Sequence, residues 1–166
     1  ILVNNAGICP RCSALEYTEE MWDQIIQLNQ KSVFFLSQLA ARQFVKQKSR
    51  GKIINLASMM SFLGGFNTAA YTASKSAVAG LTRVCASEWG ALGINVNALA
   101  PGWIKTGLSA ALVADTARYE SVKARIPMGD WGEPDVFKGI AVLLASSASD
   151  YINGAIIPVD GGYLTK

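Results

Sequence analysis

The chain contains no histidine in 166 residues, which removes the side chain most often used to move protons near neutral pH and the commonest nitrogen ligand for metals. Any acid-base chemistry must use another group. Cysteine is scarce: three are present, an odd number that suits a reducing, cytoplasmic setting better than a disulfide scaffold. No apolar run approaches the roughly 20 residues that cross a bilayer, and the first residues lack the pattern of a signal peptide. A G-x-G-x-x-G phosphate loop is absent. Charge is sparse, with 15 cations, 12 anions and a net charge of +3, so neither a nucleic-acid nor a membrane partner is expected. The densest basic stretch, Lys46, Lys48, Arg50 and Lys52 in VKQKSRGK, reads as a solvated helix C-terminus.

What is present is apolar material, 51% of the residues, enough for the core of one domain spanning 1–166. ILVNNAG opens as a buried strand entering a turn. Thr18 can cap a helix whose first turn carries Glu19 and Glu20 and whose apolar positions continue to Leu36 across a break near Asn29. KIINLAS (52–58) reads as a second strand, residues 69–91 as a helix after Thr68, and INVNALA (94–100) as a third strand stopped by Pro101 and Gly102. Residues 103–132 look irregular with one helix inside. Pro134 suits the first turn of a helix ending near Ala145, and AIIPV (155–159) is a last strand. Alternating strands and helices predict an α/β fold with a parallel sheet.

The stretch YTASK puts Tyr71 and Lys75 one helical turn apart on one face. Ser58 lies at the carboxyl end of one strand, Asn4 to Gly7 follow another, and Pro101 and Gly102 follow a third, which is where open α/β sheets bind ligands. A phenol with a pKa of about 10 is a poor base at neutral pH, but a nearby ammonium favours the phenolate. Lys75 would activate Tyr71, Ser58 would bond a substrate oxygen, and a cofactor would carry the hydride between alcohol and ketone.

With NNAG at 4–7, a serine thirteen positions before the tyrosine of Y-x-x-x-K, and PGWIKT at 101–106, the chain resembles the short-chain dehydrogenase/reductase family over its whole length. The resemblance implies a Rossmann-type doubly wound sheet, NAD or NADP as cofactor with NAD favoured, and a homotetramer. By the same resemblance Tyr71 is the general acid/base and Lys75 lowers its pKa and bonds the nicotinamide ribose. Ser58 orients the substrate, and Asn29 in QLNQKS completes a tetrad through a water-linked relay. Asn4, Ala6 and Gly7 would line the adenosine side, and Pro101, Gly102, Ile104 and Thr106 would hold the nicotinamide. KIINLASMMSFLGG, RIPMGDWGEPD and LASSASDYINGAIIPVDGGYL look most like the branch acting on sugar acids such as 2-deoxy-D-gluconate or 2-dehydro-3-deoxy-D-gluconate. The family's phosphate loop and its NAD/NADP-selecting residue precede this match, so the chain is expected to be the C-terminal catalytic part of a domain with on the order of 80 further residues, at about 30 per βαβ unit.

The same residues are compatible with a 3-oxoacyl or polyol reductase, and with a non-catalytic binding or assembly module. Cys9 and Cys12 form CPRC, a C-x-x-C spacing; zinc would need four ligands and only Cys85 remains, so no metal is expected, while a redox pair stays open. The glycines at 64, 65, 161 and 162 read as turn formers. Arg11, in the loop with the two cysteines, can offer a bidentate bond to a substrate carboxylate or can be an ordinary exposed arginine.

Overall fold

The computed structural model describes residues 1–165. Strands β1 (Leu2–Asn4), β2 (Gly51–Leu56), β3 (Ile94–Pro101) and β4 (Ile156–Val159) form one sheet in that order. All three neighbouring pairs are parallel, with Val3 opposite Ile54, Ile54 opposite Asn97 and Leu99 opposite Ile157. Parallel strands are buried on both faces and read as continuous apolar runs rather than alternating ones. That is how KIIN and INVNALA read.

Helices cover both faces. On one side lie α2 (Ser32–Gln47) and α3 (Ala69–Trp89), where Ala41, Cys85 and Ala86 pack on Ile53, Ile94 and Val96. On the other lies α6 (Lys138–Ala145), where Leu144 packs on Ile54 and Leu99. Ile53 and Ile54 therefore serve opposite faces, as the two-residue period of a strand requires.

Helix α1 (Glu19–Ile26) starts as read, with Thr18 Oγ1 accepting from Met21 N at 3.3 Å. The expected break near Asn29 is instead a π-turn over Gln27–Lys31 that carries α1 straight into α2. Such single-turn widenings recur at functional sites because they re-aim side chains without ending the helix. The segment 103–132 holds two helices, α4 (Ala110–Ala114) and α5 (Thr116–Lys123), rather than one; Asp115 caps α5 by accepting from Arg118 N at 3.0 Å. Pro134 opens a 3₁₀ turn that precedes α6.

One expectation about charge fails. Lys52 is not on a solvated helix end but inside β2, 8% exposed, and bonded to Asp150 at 2.8 Å, Asn95 at 3.1 Å and Ser149 at 3.2 Å. Arg50 pairs with the same Asp150. Among the described residues no helix is long and apolar enough to cross a membrane.

Candidate active site

The carboxyl ends of β1, β2 and β3 open on a cavity of about 700 Å³, within the range of ordinary ligand sites. Of the residues singled out in the sequence, Gly7, Arg11, Ser58, Tyr71, Lys75, Pro101, Gly102, Ile104 and Thr106 line it. The order of elements explains the convergence. Ser58 ends the β2 run and caps a 3₁₀ turn (Met59–Ser61), its Oγ accepting from Met60 N at 3.1 Å. Ser61 Oγ then donates to the Lys75 carbonyl at 2.7 Å, tying that turn to α3. Tyr71 and Lys75 occupy the first two turns of α3.

Lys75 is buried, and its ammonium donates to the Leu56 carbonyl at 2.6 Å. Burial pushes its pKa down to about 8, because a charged amine loses hydration there. The phenol of Tyr71 moves the other way from the expectation. Burial raises it above its ordinary value, the neighbouring Ser58 hydroxyl opposes that rise, Cys9 adds to it and Arg11 opposes it. Lys75 is held against β2, 5.8 Å from the centre of the Tyr71 ring.

Asn29 is fully buried in the π-turn. Its carboxamide accepts from Ile8 N and donates to Ile8 O, both at 2.9 Å, and also donates to Ser74 Oγ at 3.2 Å. The side chain thus fastens the loop after β1 to α3. Gly7 lies between Asn29 and Lys75: a Cβ there would stand 3.4 Å from Asn29 Oδ1 and 3.5 Å from Lys75 Nζ. Both N–H donors of the Asn29 carboxamide are therefore spent within the protein.

Asn4 and Ala6 are not in the cavity wall; Asn5 is. The Asn4 carboxamide points into the helix layer and donates to Ser37 Oγ at 2.9 Å and Asn55 Oδ1 at 2.8 Å. Asn55 donates on to Thr82 Oγ1 at 2.9 Å, which donates to the Val78 carbonyl. This buried polar chain is satisfied within the protein, as buried polar groups must be.

Several cavity residues carry no sequence signal. Trp103, Arg118, Arg125 and Tyr163 all line it. Together with Arg11 and Lys75 they give four cations and no carboxylate in the wall. Arg125 sits over the Tyr163 ring, 4.6 Å from its centre. Trp103 Nε1 is the one buried side-chain donor without a partner among the described residues, a state that costs about 1–3 kcal/mol when nothing bonds it. Cys9 also lines the cavity; burial raises its thiol pKa, with Arg11 and Lys75 opposing. A protonated thiol is a poor nucleophile, which weighs against a redox pair.

A family model described as enoyl-(acyl carrier protein) reductase matches residues 1–164. The chain belongs to the short-chain dehydrogenase/reductase family. This short-chain dehydrogenase/reductase is 57% identical over all its 166 residues to a 2-dehydro-3-deoxy-D-gluconate 5-dehydrogenase of Dickeya dadantii, and spans 66% of that protein. It is 54% identical to the Escherichia coli protein of the same name, again over 66% of the relative's length. Among solved structures, one from Agrobacterium tumefaciens, described as a candidate 2-deoxy-D-gluconate 3-dehydrogenase with bound NADP, superposes with a TM-score of 0.97 at 48% identity, covering 99% of this chain and 67% of that one.

Proposed function

We propose that the protein is an NAD(P)-dependent oxidoreductase that interconverts a secondary alcohol and a ketone on a small sugar acid such as 2-dehydro-3-deoxy-D-gluconate or 2-deoxy-D-gluconate. One observation carries this reading: Ser58, Tyr71 and Lys75 meet in a single cavity whose charged wall residues are all basic. Such a wall concentrates anions and disfavours the uncharged polyols and acyl chains of the alternative reductases. The names of the relatives support the substrate class.

Gly7, Pro101, Gly102, Ile104 and Thr106, with Lys75, would hold the nicotinamide end of the cofactor. The fit rests on the cavity's size, its place beyond the strand ends and its basic wall. When bound, the dinucleotide supplies the hydride acceptor or donor. Ser58 Oγ accepts from Met60 N, which leaves its own proton to donate, to the Tyr71 oxygen in the free protein and to the substrate oxygen once substrate is bound, stabilising charge that develops there. Tyr71 takes the hydroxyl proton as phenolate in oxidation and returns it in reduction. Lys75, held on the Leu56 carbonyl beside the Tyr71 ring, would offer its ammonium to the ribose. Arg11, which acts on the Tyr71 phenol, attracts anionic substrate toward the reacting end.

Assembly as a homotetramer belongs to the same reading, supported by Phe35, Leu36, Leu39 and Val84, which α2 and α3 leave exposed. Mass in solution tests it.

Initial rates of the complete gene product with both sugar acids, a matched polyol and a 3-oxoacyl thioester, each with NAD and NADP, test the function. The reading expects turnover confined to the acids, with NADP active. Turnover of the polyol or thioester instead would transfer the chain to that class, and failure to bind either cofactor would make it an assembly module.

A further inference from the structure

Resting on the sugar-acid reading above, we propose that Arg125, seated over Tyr163 in the cavity wall, is the anchor that grips the substrate's carboxylate. The platform under Arg125 is rigid. Tyr163 is 5% exposed and lies edge-on to Trp103, with ring centres 6.2 Å apart. Trp103 in turn packs on Trp131, itself 4% exposed, at 5.1 Å. A guanidinium held over an aromatic face keeps its planar fork of donors for a bidentate partner.

Arg125 makes no ion pair among the described residues and belongs to the cavity wall. A guanidinium fork whose N–H donors are unpaired matches a carboxylate, whose two oxygens accept two parallel hydrogen bonds. Arg11 belongs to the loop after β1, whereas Arg125 follows α5 and is held on the Tyr163 ring; an unreactive carboxylate gripped there supplies binding energy and orientation.

The test uses the complete gene product with 2-deoxy-D-gluconate and its uncharged amide. Loss of a charge-assisted bidentate bond is worth roughly 10- to 100-fold in affinity. Arg125→Gln is expected to raise KM for the acid by that factor, to change KM for the amide and for the cofactor by less than about threefold, and to leave kcat near the parent value, the signature of lost uniform binding. Arg125→Lys recovers part of the loss, since charge returns without the fork. Lys123→Ala removes a cation of the same segment that stacks on Tyr119 outside the cavity wall, and is expected to change neither KM.

Equal effects of Arg125→Gln on acid and amide would overturn the anchor. So would a selective rise in Arg11→Ala alone, or a shift that falls on the cofactor's KM. Should the parent bind cofactor yet turn over no sugar acid, the functional reading falls and the anchor is judged by binding. Quenching of tryptophan fluorescence by D-gluconate that is lost in Arg125→Gln upholds it, and quenching that persists overturns it.

Discussion

The Lys75 ammonium donates to the Leu56 carbonyl at 2.6 Å while standing 5.8 Å from the centre of the Tyr71 ring. A main-chain acceptor on β2, two residues before Ser58, thus fixes the lysine beside the phenol it would serve, and α3 fixes the spacing between them. The arrangement costs stability, because a buried amine is held as a cation with one hydrogen bond.

That cost is testable. The folded-state pKa of about 8 lies below the ordinary 10.5, so between those values the unfolded chain binds more protons and stability rises with pH. Below pH 8 the penalty is fully present, on the order of 3 kcal/mol as an upper bound. Lys75→Met is expected to raise stability at neutral pH by about 1–3 kcal/mol, to flatten the rise in stability between pH 8 and 10.5, and to remove turnover. Denaturant midpoints across that pH range check it; an unchanged or lower midpoint at neutral pH would show that the Leu56 bond outweighs the burial.

Tyr71 gives a second pH dependence. Burial holds its phenol above 10 in the free protein, so the phenolate is a minor species at neutral pH and its fraction grows tenfold per pH unit. For alcohol oxidation, kcat/KM is expected to climb with pH up to that alkaline limit, and for ketone reduction to stay level up to the same limit and fall beyond it. A flat profile for oxidation across about pH 7 to 9 would assign the base elsewhere.

Asn4, expected on the adenosine side of the cofactor, is bonded inside the helix layer instead, and its neighbour Asn5 lines the cavity. Asn4→Ala would leave the Asn55 carboxamide oxygen and Ser37 hydroxyl without the donor they now share, a loss of about 2–3 kcal/mol, with cofactor affinity within about twofold of the parent. Asn5→Ala is expected to do the reverse: little change in the denaturation midpoint and weaker cofactor binding, since Asn5 lines the cavity. Titration with NADP beside a denaturation curve separates the two.

Gly102 offers a steric test. A Cβ there would fall 2.6 Å from Asp160 Cα, a main-chain neighbour that cannot turn aside, next to the bond from Gly102 N to the Val159 carbonyl at 3.0 Å. Gly102→Ala is expected to lose about 1–3 kcal/mol by overpacking and to disturb cofactor binding, because β3 and β4 are forced apart at the cavity rim. Retention of both would mean that the strand ends relax freely.

The convergence of Tyr71, Lys75 and Ser58 on one cavity is legible in the sequence because helical spacing and strand ends place them regardless of distant packing. The role of Asn4 was not, since strand alternation sends neighbouring residues to opposite faces and a short β1 gives no pattern from which to choose. Lys52 looked like the end of a basic run, and only the return of Asp150, almost a hundred residues later, makes a buried lysine tolerable. The π-turn at Asn29 looked like a break because both interrupt a 3.6-residue period. Trp103, Arg125 and Tyr163 converge through tertiary contacts between segments that share no local pattern, so no spacing rule could have joined them.

The most direct test of the central claim compares the complete gene product with Tyr71→Phe, measuring NADP affinity and the rate of nicotinamide reduction with 2-dehydro-3-deoxy-D-gluconate and 2-deoxy-D-gluconate. The account predicts equal cofactor affinity and a rate lower by at least about a hundredfold in the variant, the usual worth of a positioned acid/base. A variant that turns over either substrate at the parent rate would contradict it.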